Sequence, residues 1–179
     1  RDSVASRGLG DVYKRQKLSW WACVLGAVNG LKYLGPVAML IFLILHLYLN
    51  STNRSELKLI IIFAFVGTIL DTLMAYSNLI GYVGLYSEDI IIAPLWITAM
   101  WCGFSALVNH SLAWLKDKWS LAFLFGAIGG PLAYIGGEKL GAIYFNGGFF
   151  EILIMLGVVW GVSIPFMYWV NDRLGLGNK

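Results

Sequence analysis

The sequence LKLIIIFAFVGTILDTLMAYSNLIGY, residues 57–82, decides the fold class. After Lys58 this stretch carries one charged residue, Asp71. A bilayer core of about 30 Å needs about 20 apolar residues in a helix that rises 1.5 Å per residue. The segment therefore predicts a helix that crosses a membrane.

The composition of the whole chain supports the same class. Of its 179 residues, 59% are hydrophobic and 13% are charged, and the mean hydropathy is +0.72. An ordinary soluble domain is about 45–50% apolar and about 25% charged. These values exclude a disordered chain, a nucleic-acid-binding protein and a disulfide-stapled secreted module. The net charge of +3 is too small to argue for an anionic partner.

The first sixteen residues, RDSVASRGLGDVYKRQ, differ from everything that follows because they contain no apolar run. Residues 6–16 resemble the conceptual translation of an adapter used in sequencing libraries. We therefore treat residues 1–16 as a non-native segment and leave them out of the fold prediction. Residues 17–179 are predicted to form a single polytopic membrane domain.

The chain is predicted to be all-α, a bundle of six transmembrane helices in which the first two spans are short. Residues 18–49 would make one helix of roughly 48 Å, which is too long for a bilayer core of about 30 Å. Lys32 and the Gly35-Pro36 step also divide this stretch. Two short spans are the preferred interpretation, and a re-entrant hairpin is the alternative. The six predicted spans are 18–30, 33–49, 57–82, 90–115, 119–142 and 149–170.

Lys and Arg residues indicate the orientation, because they accumulate on the cytoplasmic side of a membrane protein. With six spans and a cytoplasmic amino terminus, only Lys32 and Lys139 fall outside. Seven basic residues fall inside: Lys17, Arg54, Lys58, Lys116, Lys118, Arg173 and Lys179. The prediction is that both chain ends lie in the cytosol.

Asp71 is the first candidate functional residue, because an ionisable group inside a bilayer needs a partner or a water-filled site. Helical spacing places Gly67, Thr68, Ala75 and Asn78 on the same side of the helix. This stripe of small and polar residues is predicted to face the bundle. Asp71 either meets a proton, an ion or a substrate group, or it holds the helices in register.

The two histidines form a second candidate cluster. His46 lies near the inner end of the second span and His110 near the inner end of the fourth, so both reach a similar depth. Asn109 flanks His110 and is a further candidate for binding. Neutral histidines can bind a metal or shuttle a proton, but near a helix end they more often bond to backbone or headgroups. Cys23 and Cys102 have no partner at metal-ligand spacing, and we predict no metal site and no cofactor.

Glycines are predicted to let the helices approach closely, since packing in a membrane depends on small residues and polar contacts. Pro131 is predicted to kink the fifth helix. Four Gly-x-x-x-Gly pairs occur: Gly26/Gly30, Gly126/Gly130, Gly137/Gly141 and Gly157/Gly161.

With these residues placed, the chain resembles a bacterial membrane family known as domain of unknown function 2878. The most specific matching block is GAIGGPLAYIGGEKLGA, residues 126–142. Other matching segments are WWACVLGAVNG and LGP within residues 20–36, the His46-Leu47 pair, Asp71, PLW at 94–96, Trp101, and NHSLAWL at 109–115. The resemblance implies a small polytopic inner-membrane protein. Members of this family lie beside genes for lipid-modifying enzymes, including cyclopropane-fatty-acid synthases, which implies a link to envelope lipids.

Two functions are compatible with these features. The first is a non-enzymatic protein, either a small transporter or a partner subunit in lipid modification, with Asp71 buried between helices. The alternative is a membrane-embedded enzyme that modifies lipids with His46 and His110 as acid/base or metal-binding groups. Membrane lipids, a lipid-modifying enzyme or a second copy of the chain are the expected partners. The sequence contains none of the common hydrolase, zinc-protease, phosphate-loop or dinucleotide motifs.

Overall fold

The computed structural model describes residues 16–50, 54–87 and 89–176. Most of the predicted adapter-like segment and Lys179 lie outside the described residues. The predicted all-helical class is confirmed, and the described residues contain six α-helices. They are α1 (16–28), α2 (Leu34–Asn50), α3 (Arg54–Tyr76), α4 (Leu95–Ser105), α5 (Trp119–Lys139) and α6 (Phe149–Arg173). A short 3-10 helix, Ala113–Leu115, and a two-stranded sheet complete the described fold.

Three helices are long and apolar enough to cross a membrane: Ser55–Tyr76, Trp119–Lys139 and Phe149–Arg173. The surface of α3 shows the lipid-facing pattern, since Ile61, Phe65, Ile69 and Leu73 are all 47–69% exposed at intervals of one helical turn. The opposite face of α3 is buried and carries Phe63 and Asp71. The exposed face of α3 is thus apolar and Asp71 lies on its buried face, as expected for a helix in a bilayer.

Residues 18–49 form two helices, as predicted, and not one long helix. The chain turns between α1 and α2 at Gly30, which has a φ of +74°. A left-handed conformation of this kind favours glycine directly after a helix. The two helices then pack tightly, because a Cβ on Gly35 would lie 2.3 Å from Cα of Cys23. Whether this hairpin crosses the bilayer stays a prediction.

The third predicted span, 57–82, is helical only as far as Tyr76. Asn78 follows in a turn with a φ of +59°, and its side chain is exposed. The predicted place of Asn78 beside Asp71 on one helical face is therefore wrong. The chain continues as strand β1 (Ile80–Tyr82), which pairs antiparallel with β2 (Ile143–Phe145). This small sheet ties the end of α3 to the end of α5.

The fourth predicted span, 90–115, also needs correction, since it contains a helix of only 11 residues, α4. Residues 106–112 form consecutive turns that are fixed by other parts of the chain. Among these contacts, the Tyr168 hydroxyl donates a hydrogen bond to the Leu112 carbonyl at 2.6 Å. His110 and Asn109 consequently lie on this turn segment and not on a helix.

The predicted glycine pairs have two different roles. Gly126 and Gly130 lie directly against Trp160, where a Cβ would approach α6 atoms to 2.2 and 2.3 Å. Gly161 meets Phe123 in the same way, and Gly157 lies near the Ala127 carbonyl, so α5 and α6 pack closely. A Cβ on Gly26 or Gly137 would also be crowded, at 3.1 and 2.8 Å from its nearest atom.

Gly30 and Gly141 instead occupy turns with positive φ and open space, so their predicted packing role is wrong. Helix α5 continues through Pro131.

Two candidate functional sites

Asp71 is fully buried and accepts hydrogen bonds at both carboxylate oxygens. The hydroxyls of Tyr82 and Tyr134 donate to Oδ1 at 2.6 and 2.5 Å. The indole nitrogen of Trp101 donates to Oδ2 at 2.6 Å. Three donors from three separate segments satisfy a group that would otherwise be costly to bury.

The surrounding elements explain how these donors reach Asp71. Strand β1 brings Tyr82 back toward α3 immediately after the chain has left the helix. Gly67 lies one turn before Asp71, and a Cβ there would be 2.0 Å from the Trp101 ring. The absence of a side chain at Gly67 therefore lets Trp101 lie flat against α3. Thr68 and Thr98 join the same two helices through their hydroxyls at 2.6 Å.

The predicted stripe of small and polar residues thus faces the bundle at Gly67, Thr68 and Asp71. The three donors, Tyr82, Trp101 and Tyr134, were not predicted as partners of the carboxylate. The sequence indicates these partners only indirectly. A buried aspartate needs hydrogen-bond donors, and tyrosine and tryptophan side chains can supply them inside a bundle of membrane helices. No sequence spacing says which of the 9 tyrosines and 8 tryptophans fill this role.

The two histidines meet at the other end of α3, as their predicted depths suggested. Nε2 of His46 lies 3.0 Å from Oε1 of Glu56, and Nε2 of His110 lies 2.9 Å from the same oxygen. The two imidazole rings are edge to face, with centroids 4.5 Å apart. His46 and Glu56 are buried, and the His110 side chain is 18% exposed.

The geometry of this cluster is compatible with a metal ion. One ligand atom from each of His46, Glu56 and His110 lies within 4.8 Å of the other two. Zinc binds histidine nitrogen and carboxylate oxygen at about 2.0–2.2 Å, so ligand atoms around it are roughly 3.3 Å apart. The observed spacing needs only small side-chain movements to reach that value. Two histidines and one glutamate are also a common ligand set for zinc.

Unpaired polar atoms surround the same cluster. Nδ1 of His46 is buried without a hydrogen-bond partner among the described residues, and so is Nδ2 of Asn171. Asn109 donates a hydrogen bond to Oδ1 of Asn171 at 2.8 Å. Asn109, predicted as a binding residue, therefore connects the segment that carries His110 to α6. The prediction of no metal site rests on the spacing of the two cysteines and leaves out Glu56, the acidic residue in the first turn of α3.

A second feature near Asp71 is an apolar cavity of about 210 Å³. Trp101 and Tyr134, two of the donors to Asp71, lie in its wall. Asp71 itself is 0% exposed and does not line the cavity. The cavity belongs to the middle of the bundle and does not include the residues of the histidine cluster.

These features define a helical protein with three helices able to cross a membrane, an apolar exterior and two buried polar clusters. The chain belongs to the family described as Protein of unknown function (DUF2878), whose model matches residues 16–166. Every residue of both clusters lies within that match. No curated protein and no solved structure matches the chain.

Proposed function

We propose that this protein is a membrane-embedded metal-dependent enzyme that acts on lipids, with His46, Glu56 and His110 as the metal ligands. The observation that carries the proposal is the convergence of both Nε2 atoms on one oxygen of Glu56, at 3.0 and 2.9 Å. A metal with three protein ligands keeps a position for water and lowers the pKa of that water to about 7. All three side chains would hold the ion, and His110, the partly exposed ligand, is on the side that a substrate could approach.

The position of the cluster supports a lipid as substrate. It joins the first turn of α3 to the last turns of α2, at the end of the bundle where α6 finishes. At this end the Lys118 ammonium lies 5.9 Å from the Trp114 ring centroid, and the Arg173 guanidinium lies 5.2 Å from that of Trp169. Tryptophan with a neighbouring cation is typical of the interface between lipid and water. The metal centre would therefore lie at the level of the lipid headgroups.

The geometry of Asp71 favours a structural role for that residue and gives less support to a transporter. Its oxygens are occupied by three donors, and its side chain has no contact with the cavity. The inner membrane, cytosolic chain ends and a partnership with lipids, with a lipid-modifying enzyme or with a second copy remain our predictions. They agree with the family resemblance and with the basic residues at one end of the bundle.

Metal binding is the first test. We expect the purified protein, after incubation with zinc and removal of free metal, to contain about one zinc per chain by elemental mass spectrometry. His46→Ala and Glu56→Gln should each lower this content at least tenfold, because two remaining ligands hold zinc poorly. Glu151→Gln is the matched control, since Glu151 is an exposed carboxylate in the first turn of α6. It should keep full zinc content.

Activity is tested with the same proteins. We expect the zinc-loaded protein to change the lipid profile of phosphatidylglycerol and phosphatidylethanolamine vesicles, measured by mass spectrometry. A chelator and the His46→Ala change should each abolish that effect. A folded wild-type protein that binds no more zinc than His46→Ala would refute the metal centre. A zinc-loaded protein that leaves every vesicle lipid unchanged would refute the enzymatic role.

A further inference from the structure

The apolar cavity beside Asp71 points to a second ligand, independent of the proposed metal centre. Its volume of about 210 Å³ exceeds that of the apolar cavities, about 150 Å³, that bind benzene in other proteins. Seven of its 17 lining residues are aromatic, among them Trp20, Trp101, Phe104, Tyr134 and Trp160. A flat ring packs well against such a wall, in offset or edge-to-face contact.

One polar atom in this wall lacks a partner. Trp160 is 9% exposed, and its Nε1 is buried without a hydrogen-bond partner among the described residues. The hydroxyl of Tyr134 is close enough to interact with this N–H, but no hydrogen bond of ordinary geometry joins them. A buried donor that stays unpaired is costly, so a ligand with an acceptor at this point gains affinity.

The depth of Trp160 restricts the chemistry of that acceptor. It lies 11 residues after Phe149 in a helix that ends at Arg173, so roughly 17 Å from one end and 20 Å from the other. This is the middle of a bilayer core of about 30 Å, where a charged headgroup is expensive. A neutral carbonyl is an acceptor that can be accommodated there.

The cavity is accessible from the lipid-facing surface. Phe125 and Ala133 of α5 contribute to its wall and are themselves exposed. Between them α5 exposes Ile128 and Leu132, two of the side chains expected to face lipid. A ligand with an apolar tail could thus place its ring inside and leave the tail among the lipids.

We propose that this cavity binds the ring of a lipid-soluble quinone, with one quinone carbonyl accepting a hydrogen bond from Nε1 of Trp160. The ring size, the aromatic wall, the unpaired donor at mid-membrane depth and the opening toward lipid together match this class of molecule. A fatty acid fits less well, because its carboxyl group would have to lie at the centre of the bilayer. A plain hydrocarbon would leave the Trp160 donor unpaired.

The test compares two ligands that differ in their carbonyl groups: a benzoquinone with a decyl chain, and decylbenzene. Binding is measured with radiolabelled ligand in lipid nanodiscs. The amount bound by empty nanodiscs is subtracted from the amount bound by nanodiscs that contain the protein, and the saturable difference gives the affinity. We expect the wild-type protein to bind the quinone about tenfold more tightly, since an unmade buried hydrogen bond lowers the affinity by a factor of this order. Trp160→Phe keeps an aromatic ring but removes the donor, so it should bind both ligands equally.

Two further variants make the result specific. Gly129 lines the cavity, and a Cβ added there would have no atom within 4 Å, so Gly129→Leu should fill the space and abolish binding of both ligands. Trp169→Phe changes an exposed tryptophan on the same helix as Trp160 and should bind like the wild type.

Equal wild-type affinity for the two ligands, or a quinone preference that survives Trp160→Phe, would overturn the proposal. Tighter binding of decanoic acid than of the quinone would overturn it in favour of an acyl chain. Zinc content is measured in parallel, so a failure here is distinct from a failure of the metal centre.

Discussion

Replacing Asp71 with alanine should lower the free energy of unfolding by about 2–5 kcal/mol, because three buried donors lose their acceptor at once. The affected groups are the hydroxyls of Tyr82 and Tyr134 and the indole N–H of Trp101. They belong to the segment after α3, to α5 and to α4, so the loss weakens contacts between several elements together. Thermal and denaturant unfolding of the purified protein in detergent, followed by circular dichroism, measures the change.

Partial versions of this change should have graded effects. Tyr134→Phe removes one donor and leaves the carboxylate with two, so we expect a loss of about 1 kcal/mol. Asp71→Asn keeps one acceptor oxygen for the tyrosines but turns an N–H toward Trp101, and its cost should be intermediate. If Asp71→Ala unfolded at the wild-type temperature, the structural role would be refuted. If Asp71→Asn were fully stable and lost lipid activity, Asp71 would belong to the functional machinery.

The sequence was sufficient to locate both clusters along the chain but not to complete them. Asp71 was identified because hydropathy makes a charge inside an apolar run conspicuous. His46 and His110 were predicted at one depth because their segments run in opposite directions, and their rings are indeed 4.5 Å apart. The partners of each group come from distant segments, and one sequence contains no measure of which side chains converge.

Glu56 shows this limit most clearly. At the start of α3, an acidic residue is expected anyway, since the helix dipole favours a negative charge there. An acid that has this ordinary explanation gives no sign of its contact with two histidines, 10 and 54 residues away.

The errors in the helix boundaries have a related cause. Hydropathy adds up apolar residues without regard to backbone conformation, so it continued α3 through Ile80 and Tyr82, which form a strand. It also joined Leu95–Ser105 to the turns that follow, because four of the seven residues 106–112 are apolar. Local signals were available at Gly30 and Gly141, where glycine ends a helix with a positive φ, and these signals were interpreted as packing motifs.

The close contact between α5 and α6 leads to the last prediction, that Gly126→Leu should destabilise the protein by about 3 kcal/mol or more. Even the first added carbon would lie 2.2 Å from the carbonyl oxygen of Trp160 and 2.7 Å from its carbonyl carbon. These are backbone atoms of a helix, and they cannot rotate away as a side chain can. The two helices would have to separate, which would also displace Trp160 from its stacking on Trp101, where the ring centroids are 4.4 Å apart.

Gly129→Leu is the matched control, because it makes the same substitution less than one turn away in the same helix. Its added carbon meets no atom within 4 Å, so both variants gain helix propensity but only Gly126→Leu meets an obstacle. We expect Gly129→Leu to unfold at or above the wild-type temperature and to remain a single species in size-exclusion chromatography, whereas Gly126→Leu should unfold earlier. Equal stability of the two variants would mean that α5 and α6 do not pack through Gly126. Since Trp160 lines the cavity and stacks on Trp101 from this helix pair, the same result would also remove the basis for placing Trp160 in the cavity wall.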